Sequence, residues 1–240
     1  MANFYNRNIR INYLDKGAGR PIITLHLALA SHRVWTRQFE AFSNRYRMIA
    51  IDFRGHGDSD KPKHGYDPVN LVKDIELLMS HLGLAKTLII GSSMGGVIAQ
   101  LFYFSRPAAV EALILVGTLA KAVWLGRRAE YLSELVSKSP EDVARTWFVP
   151  ESHDEHISLV VEEARKASLD FHRNVVNEFG DFDLRPRLGE IKVPTLIVVG
   201  NDDSVTPVEE SSQLRLSRSL IQPPCESGTI SLARGPRLWM

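Results

Sequence analysis

The residues best suited to chemistry lie at 91–96, where the sequence is Gly-Ser-Ser-Met-Gly-Gly. A β-branched run at 87–90 precedes them and an apolar run at 97–104 follows, which predicts a strand, a tight turn and a helix. A side chain that points out of such a turn needs a strained backbone, and a Cβ two residues to either side would clash. The pattern therefore predicts that Ser93 is an exposed nucleophile at a helix N-terminus, which favours developing negative charge. The alternative is a glycine turn without chemistry, and the flanking strand and helix favour the nucleophile.

The composition narrows the classes of function. The chain has 240 residues, of which 44% are hydrophobic and 24% charged, and this suits one large globular domain or one domain with an insertion. With 29 basic and 28 acidic residues, the net charge of +1 gives no indication of a nucleic-acid or membrane partner. Cys225 is the single cysteine, so an internal disulfide is excluded. No signal-peptide pattern and no membrane-length apolar run is present, so we expect a cytoplasmic protein.

Short apolar strands alternate with longer amphipathic helices over the first half of the chain. One helix carries Trp35, Phe39 and Phe42 on one face, and a second begins at Asp67 and ends at Gly83. The strands are predicted at 8–14, 22–25, 48–51, 87–90 and 112–116. This alternation predicts an α/β fold with a mostly parallel sheet and helices on both faces. Ser93 and the loops after His26 and Asp52 then lie at the carboxyl edge of the sheet, where ligands bind.

The strand pattern disappears between residues 118 and 185, where a helix start at Ser139 and a long helical pattern at 155–179 indicate a helical lid. We therefore predict a first part of the core at 1–117, the lid at 118–185, a second part of the core at 186–209 with a strand at 193–199, and an atypical tail at 210–240. Aromatic residues of the lid either line a substrate pocket or pack the lid onto the core, namely Trp124, Trp147, Phe148, Phe171 and Phe179.

Together these landmarks resemble the α/β-hydrolase family over residues 8–209. The resemblance is carried by the serine turn at 91–95, the loop at 52–59, the strand that ends at His26, and the segment at 194–207. Within the family, the sequence is most similar to small esterases, enol-lactone hydrolases and C–C bond hydrolases. The resemblance implies hydrolysis of a small-molecule ester or lactone through an acyl-enzyme, by a serine–acid–histidine triad. Epoxide hydrolases and dehalogenases are weaker matches, because they carry an aspartate in place of the serine.

The resemblance also implies roles for individual residues. Ser93 is the expected nucleophile, and Asp203 is the expected acid, with Asp202 more suited to the turn. The expected oxyanion hole consists of the backbone N–H groups of Met94 and Ala28. Leu27 stands where the family usually has glycine, so we expect a distorted loop or a narrowed pocket. No phosphate-binding glycine loop is found, and we expect neither a cofactor nor a metal.

The catalytic histidine of the family is missing from its usual place. The last histidine is His172, which precedes Asp203, and residues 208–240 contain none. That segment also lacks the family's pattern, so the final strand and helix are expected to be missing or disrupted. The other histidines have structural interpretations: His26 and His56 hold loop backbone, His172 is exposed on the lid, and the group at 153–156 is a solvated helix end rather than a metal site.

A change of reading frame near residues 210–222 would explain the tail. In a shifted frame, the codons of Ser227, Gly228 and Thr229 can encode Gly-His, which is the pair the family carries there. Two interpretations of function follow. The chain is a serine hydrolase impaired by the loss of its base, or it is an inactive hydrolase-like binding protein or the product of a truncated or shifted gene.

Overall fold

The computed structural model describes residues 1–122, 126, 128–147, 154–200, 203, 205–208, 214 and 219–221, without the side chains at 132, 134–136, 154, 156 and 219–221. Its described strands form one eight-stranded sheet in the order β1-β2-β4-β3-β5-β6-β7-β8. The strands are β1 (Ala2–Asn6), β2 (Ile9–Lys16), β3 (Pro21–Leu25), β4 (Arg47–Ile51), β5 (Thr87–Ser92), β6 (Val110–Val116), β7 (Thr195–Val198) and β8 (Ser219–Ile221).

The direction of the strands brings the functional loops to one edge. β1 and β2 pair antiparallel with their neighbours, whereas β4, β3, β5, β6, β7 and β8 are parallel to one another. The parallel strands are short β-branched runs that are buried almost throughout, as expected for a sheet covered on both faces. The predicted α/β fold with a mostly parallel sheet is therefore confirmed, and β1 is an additional strand that the sequence did not predict.

The last strand differs from the expectation that it is missing or disrupted. It is present but short: β8 runs parallel to β7, with Leu220 opposite Leu196 and Ile221 opposite Ile197. Its three residues extend the parallel edge of the sheet beyond β7. The helix expected after it lies outside the described residues.

Helices cover the sheet and occupy the region between β6 and β7. They are α1 (Thr36–Phe42), α2 (Pro68–His81), α3 (Met94–Ser105), α4 (Arg128–Val136), α5 (Pro140–Arg145), α6 (Asp154–Lys166) and α7 (Leu169–Phe179). The caps predicted for α2 and α5 are confirmed: Asp67 accepts a hydrogen bond from the backbone N–H of Asn70, and Ser139 from that of Asp142. Gly83, just beyond α2, has the left-handed φ of 65° typical of a helix end.

The long helical pattern at 155–179 is two helices rather than one. α6 ends at Lys166 and α7 begins at Leu169, because the Ser168 side chain accepts a hydrogen bond from Phe171 N and starts a new helix. The backbone N–H of Ser168 also donates to Gly55 O at 2.8 Å, which fixes this break against the loop after β4. The start of α7 is thereby tied to the carboxyl edge of the sheet.

Two hydrophobic clusters fill the two faces of the sheet. The larger lies between the sheet, α2, α3 and the helices that follow β6, and the smaller lies on the face covered by α1. Trp35 and Phe39 are buried in the smaller cluster, as predicted. Phe42, predicted on the same face, is 38% exposed because it is the last residue of α1.

Candidate active site

Ser93 occupies the crossover from strand to helix. It follows β5 directly and is the N-cap of α3, with φ 49° and ψ −116°. A non-glycine residue in this region of φ and ψ is strained, typically by about 1–3 kcal/mol. Its backbone is held by neighbours, since Ser93 N donates to Val116 O at 2.9 Å and Thr118 Oγ1 donates to Ser93 O at 2.7 Å.

The glycines around Ser93 are required by close backbone contacts. A Cβ on Gly91 would lie 2.4 Å from Gly95 O, and a Cβ on Gly95 would lie 2.3 Å from Leu25 O. Real Cβ atoms essentially never come so close, and backbone atoms cannot move aside cheaply. A Cβ on Gly96 would meet the Thr118 side chain at 2.6 Å. The predicted steric reason for Gly91 and Gly95 is therefore confirmed, and Gly96 has a similar role.

This arrangement leaves the Ser93 side chain available. The residue is half-buried, and no hydrogen bond joins its Oγ to any other side chain or backbone group of the described part of the chain. Met94 is the first residue of α3, so its N–H belongs to the helix turn that has no intrahelical acceptor. An oxyanion formed on a carbonyl attacked by Ser93 is favoured at such a helix end.

Ala28 lies in the turn that follows β3, which we call the 27–31 turn. Ala28 is partly buried against the larger hydrophobic cluster, and Gly95 packs against the backbone of Leu25 and His26 just before the turn. The turn therefore starts beside the helix end that carries Met94.

The strained residue of the 27–31 turn is Leu29, with φ 58°, whereas Leu27 is not among the residues with positive φ. The left-handed backbone of this turn therefore lies two residues after Leu27, and the expected effect of Leu27 on the loop or the pocket stays a prediction. Leu27 supplies its carbonyl to the His26 ring at 2.7 Å.

Asp203 follows β7 and lies beside the end of β6. Its Oδ1 accepts hydrogen bonds from Thr206 N at 2.7 Å and Val205 N at 3.0 Å, and its Oδ2 accepts one from Thr206 Oγ1 at 2.6 Å. A Cβ on Gly117 would lie 3.3 Å from Asp203 Oδ2, and Gly117 directly follows Val116, the residue that binds Ser93 N. The carboxylate thus lies at the same edge as Ser93, with its orientation fixed by its own turn. Asp202 lies outside the described residues.

His26 and His56 hold loop backbone, as predicted. His26 is fully buried; its Nδ1–H donates to Leu27 O, and its Nε2 accepts from Phe53 N at 3.0 Å. His56 Nδ1–H donates to Arg54 O at 3.0 Å, and the ring packs edge-to-face on Phe171. Burial lowers the pKa of both, that of His56 to about 3, so both rings are neutral. Both nitrogens of His26 are occupied, and His56 uses Nδ1 to hold the loop.

The remaining described histidines are engaged elsewhere. His172 was expected to be exposed, but it is only 4% exposed and its Nε2–H donates to Lys138 O at 3.2 Å. His172 is buried because it lies with Phe171, Val176 and Phe179 among the inward-facing residues of α7. His64 pairs with Glu178 and His81 contacts Tyr13 Oη. His153 and the side chains of Asp154 and His156 lie outside the described residues.

The sequence did not predict the pair formed by His32 and Asp52. The Asp52 carboxylate is fully buried and accepts from His32 Nδ1 at 2.9 Å and His32 N at 2.6 Å, with Asn12 Nδ2 and Asp58 N as further donors. Adjacency of β3 and β4 at the carboxyl edge is the signal that would have found it. Asp52 ends β4, and β3 separates β4 from β5, so Asp52 lies roughly 10 Å across the sheet from Ser93.

Charge and burial shift the pKa values of His32 and Asp52 in opposite directions. Burial raises the pKa of Asp52, but the hydrogen bond and charge of His32 outweigh it and hold the pKa at about 2. Burial lowers the pKa of His32, but Asp52 outweighs it, so the pKa of His32 lies above its ordinary value. The pair therefore ties the end of the 27–31 turn to the sheet.

The lid aromatics that the structure describes pack rather than line a cavity. Phe171 is 1% exposed and contacts the rings of His56 and Tyr66, and Phe179 is buried in the same cluster. Trp147 is half-buried against that cluster. Trp124 and Phe148 lie outside the described residues, so their predicted contribution to a pocket stays a prediction.

Two further features of the described residues bear on metal binding and on membrane insertion. No group of three or more histidine, cysteine or acidic residues in that part of the chain has the geometry to hold a metal ion. Among the described helices, none combines the length and the apolar character of a bilayer-spanning segment.

Comparisons with known proteins agree with this architecture. A family model described as "alpha/beta hydrolase fold" matches residues 20–181. The chain is 31% identical over 236 residues to the AB hydrolase superfamily protein YisY of Bacillus subtilis (strain 168), covering 89% of this chain and 86% of that protein. It is 27% identical over 217 residues to 3-oxoadipate enol-lactonase 2 of Acinetobacter baylyi, covering 87% and 81%. An esterase structure from Exiguobacterium antarcticum superposes with a TM-score of 0.80 at 26% identity, covering 89% of this chain and 86% of that one. The family model, these relatives and the strained serine after β5 lead to one conclusion: this protein belongs to the α/β-hydrolase family.

Proposed function

We propose that this protein is a serine hydrolase of small carboxylic esters or lactones. The observation that carries the proposal is the strained Ser93 between β5 and α3, which presents an unbonded hydroxyl at a helix N-terminus. The similarity to an enol-lactonase and to an esterase supports esters and lactones as the substrate class. A cytoplasmic location stays a prediction.

In the proposed reaction, Ser93 Oγ attacks the substrate carbonyl carbon and loses its proton as the bond forms. The N–H groups of Met94 and Ala28 are the proposed donors to the resulting oxyanion. Collapse of the tetrahedral intermediate breaks the bond to the alcohol oxygen, which takes up the proton that Ser93 lost, and leaves an acyl-enzyme. Water then attacks that ester, its oxygen and one hydrogen leave with the carboxylic acid, and its other proton returns to Ser93 Oγ. Asp203 is the proposed carboxylate that orients a proton carrier beside Ser93.

No histidine follows Asp203 in the sequence, and the described histidine side chains are bound to other groups. Removal of one member of such a triad typically leaves only roughly 10³- to 10⁴-fold acceleration over water, from binding and the oxyanion hole. We therefore expect slow turnover from the chain as it stands. This missing base is also the observation that favours the second candidate, a hydrolase-like protein that binds such molecules without turning them over.

The test is covalent labelling of the purified chain with a fluorophosphonate probe, together with p-nitrophenyl acetate hydrolysis. Ser93→Ala should abolish labelling and lower hydrolysis to the background rate. Ser92→Ala is the matched control, because it removes the neighbouring hydroxyl at the end of β5 and should leave both signals intact. Equal labelling of the wild type and Ser93→Ala would reject the serine mechanism. Labelling of Ser93 without any turnover would select the binding protein.

A further inference from the structure

A buried carboxylate of α6 reaches the segment that follows β3. Glu163 is only 2% exposed, and its Oε1 accepts from Arg33 Nη1 at 2.6 Å and from Lys166 Nζ at 2.9 Å. Arg33 belongs to a short 3₁₀ helix at His32–Trp35, directly after the 27–31 turn. The contact therefore joins the helices between β6 and β7 to the loop that carries Ala28.

On the loop side, the contact passes through Ser31. This residue is fully buried and caps the 3₁₀ helix by accepting from Arg33 N at 3.2 Å, and its hydroxyl helps to lower the pKa of the Glu163 carboxylate. Two residues earlier, Leu29 is held at φ 58° although it has a Cβ. Such a conformation persists only where the surroundings enforce it. Ser31, on the lid side, and His32, bound to Asp52 on the sheet side, supply that enforcement.

The neighbouring Glu162 shows that ion pairing alone does not explain the burial of Glu163. Glu162 Oε1 also accepts from Arg33 Nη1, at 2.9 Å, and from Lys166 Nζ, at 2.8 Å, while its side chain is 50% exposed. Burying a carboxylate costs several kcal/mol unless its oxygens are well bonded. Both carboxylates bind the same two cations, so what separates Glu163 from Glu162 is its buried position at the segment that follows β3.

We infer that Glu163 is a positioning residue that holds the 27–31 turn so that the N–H of Ala28 faces the oxyanion beside Ser93. Docking of α6 is thereby coupled to assembly of the oxyanion hole. The role of Ala28 in this inference rests on the proposed function, whereas the hold on the turn rests on the contacts of Glu163.

The first test is hydrogen–deuterium exchange, followed by mass spectrometry of peptides covering residues 27–34. Glu163→Gln should speed exchange of amides in the turn by about tenfold. This corresponds to a decrease of about 1.4 kcal/mol in the free energy of local opening. Ser31→Ala leaves the ion pairs intact but removes the cap on Arg33 N, so it should speed exchange in the same peptides at least as much. Glu162→Gln is the matched control and should leave exchange unchanged. Equal exchange in Glu163→Gln and Glu162→Gln would overturn the inference.

The second test separates positioning from general destabilisation. With the fluorophosphonate probe, Glu163→Gln should lower the limiting rate of Ser93 labelling by about tenfold with little change in the probe concentration for half-maximal rate. A loss confined to apparent affinity would contradict a role in the oxyanion hole. If the wild type is not labelled at all, the proposed function fails, and the exchange experiment still decides whether Glu163 holds the turn.

Discussion

At the residue scale, the proposed chemistry depends on a serine in a conformation that few residues adopt. The hydrogen bonds from Ser93 N to Val116 O and from Thr118 Oγ1 to Ser93 O are each worth about 1 kcal/mol, which together is of the same order as strain of about 1–3 kcal/mol. Gly91, Gly95 and Gly96 remove the Cβ atoms that would block the approach of the helix to the sheet. The surrounding fold therefore presents the Ser93 hydroxyl without a hydrogen bond to any other group of the described residues.

The pair formed by His32 and Asp52 predicts a pH dependence of stability. Because the folded pKa of His32 lies above its ordinary value, its contribution is complete below about pH 6.5 and is lost as the pH rises through the folded pKa. His26 and His56 have the opposite effect on stability: because their folded pKa values are lowered, their contribution is lost as the pH falls. The difference in unfolding free energy between the wild type and His32→Gln isolates the contribution of His32. Urea unfolding from about pH 5.5 to 9 should show that difference shrinking as the pH rises. A difference that grows would contradict the assigned ion pair.

The sequence predicted Ser93 and its glycines because a steric rule fixes them locally. It did not predict the pair formed by His32 and Asp52, because 20 residues separate them and only the adjacency of β3 and β4 brings them together. The left-handed conformation at Leu29 was not predicted either, because no glycine marks that position in the sequence.

At the element scale, α7 is the helix that fixes the lid region to the loop after β4. Phe171 packs edge-to-face on His56 and Tyr66, with ring centroids 4.2 and 5.3 Å apart. Ser168 adds two polar contacts, one to Gly55 O and one with Tyr66 Oη. This docking explains why the predicted helix of 155–179 breaks: continuing α6 past Lys166 would lose the Ser168 cap and these contacts. Helical periodicity alone does not reveal such a break.

We expect Phe171→Ala to lower the free energy of unfolding by about 3–5 kcal/mol, because it empties a buried ring site in a packed core. Leu169→Ala is the matched control in the same helix turn. Leu169 is 54% exposed, so its loss should stay within about 0.5 kcal/mol. Urea denaturation followed by circular dichroism measures both variants. Similar losses for the two variants would mean that α7 unfolds independently of the core.

At the scale of the whole molecule, the strand order brings distant segments to one edge. Ser93 follows β5, the 27–31 turn follows β3 and Asp203 follows β7. The next strand along this edge is β8, and it is parallel to β7, so the chain leaves β8 on the side that holds Asp203. The sequence predicted β2 to β7 from their apolar patterns and missed β1, and β8 has only three residues and no periodic flank.

This topology makes the hypothesis of a shifted reading frame testable. We expect the coding DNA to have a Ser227 codon ending in G and a Gly228 codon ending in C, because only these bases yield Gly-His in the shifted frame. A single-base insertion or deletion in the codons between residues 210 and 222 would put translation into that frame. The resulting protein would carry a histidine in the segment that follows residue 221. We expect its p-nitrophenyl acetate turnover to exceed that of the present chain by about 10³-fold or more, since a restored base completes the triad.

Two variants of that shifted-frame protein make the comparison decisive. Ser93→Ala should return turnover to background, and replacing the new histidine with alanine should return it to the level of the present chain. Circular dichroism must show that all three proteins are folded, so that a change in turnover reports chemistry. Codons that cannot encode Gly-His, or a folded shifted-frame protein with no gain in turnover, would refute the tail as the source of the base. Either result would favour the second candidate, a hydrolase-like protein that binds such molecules without turning them over.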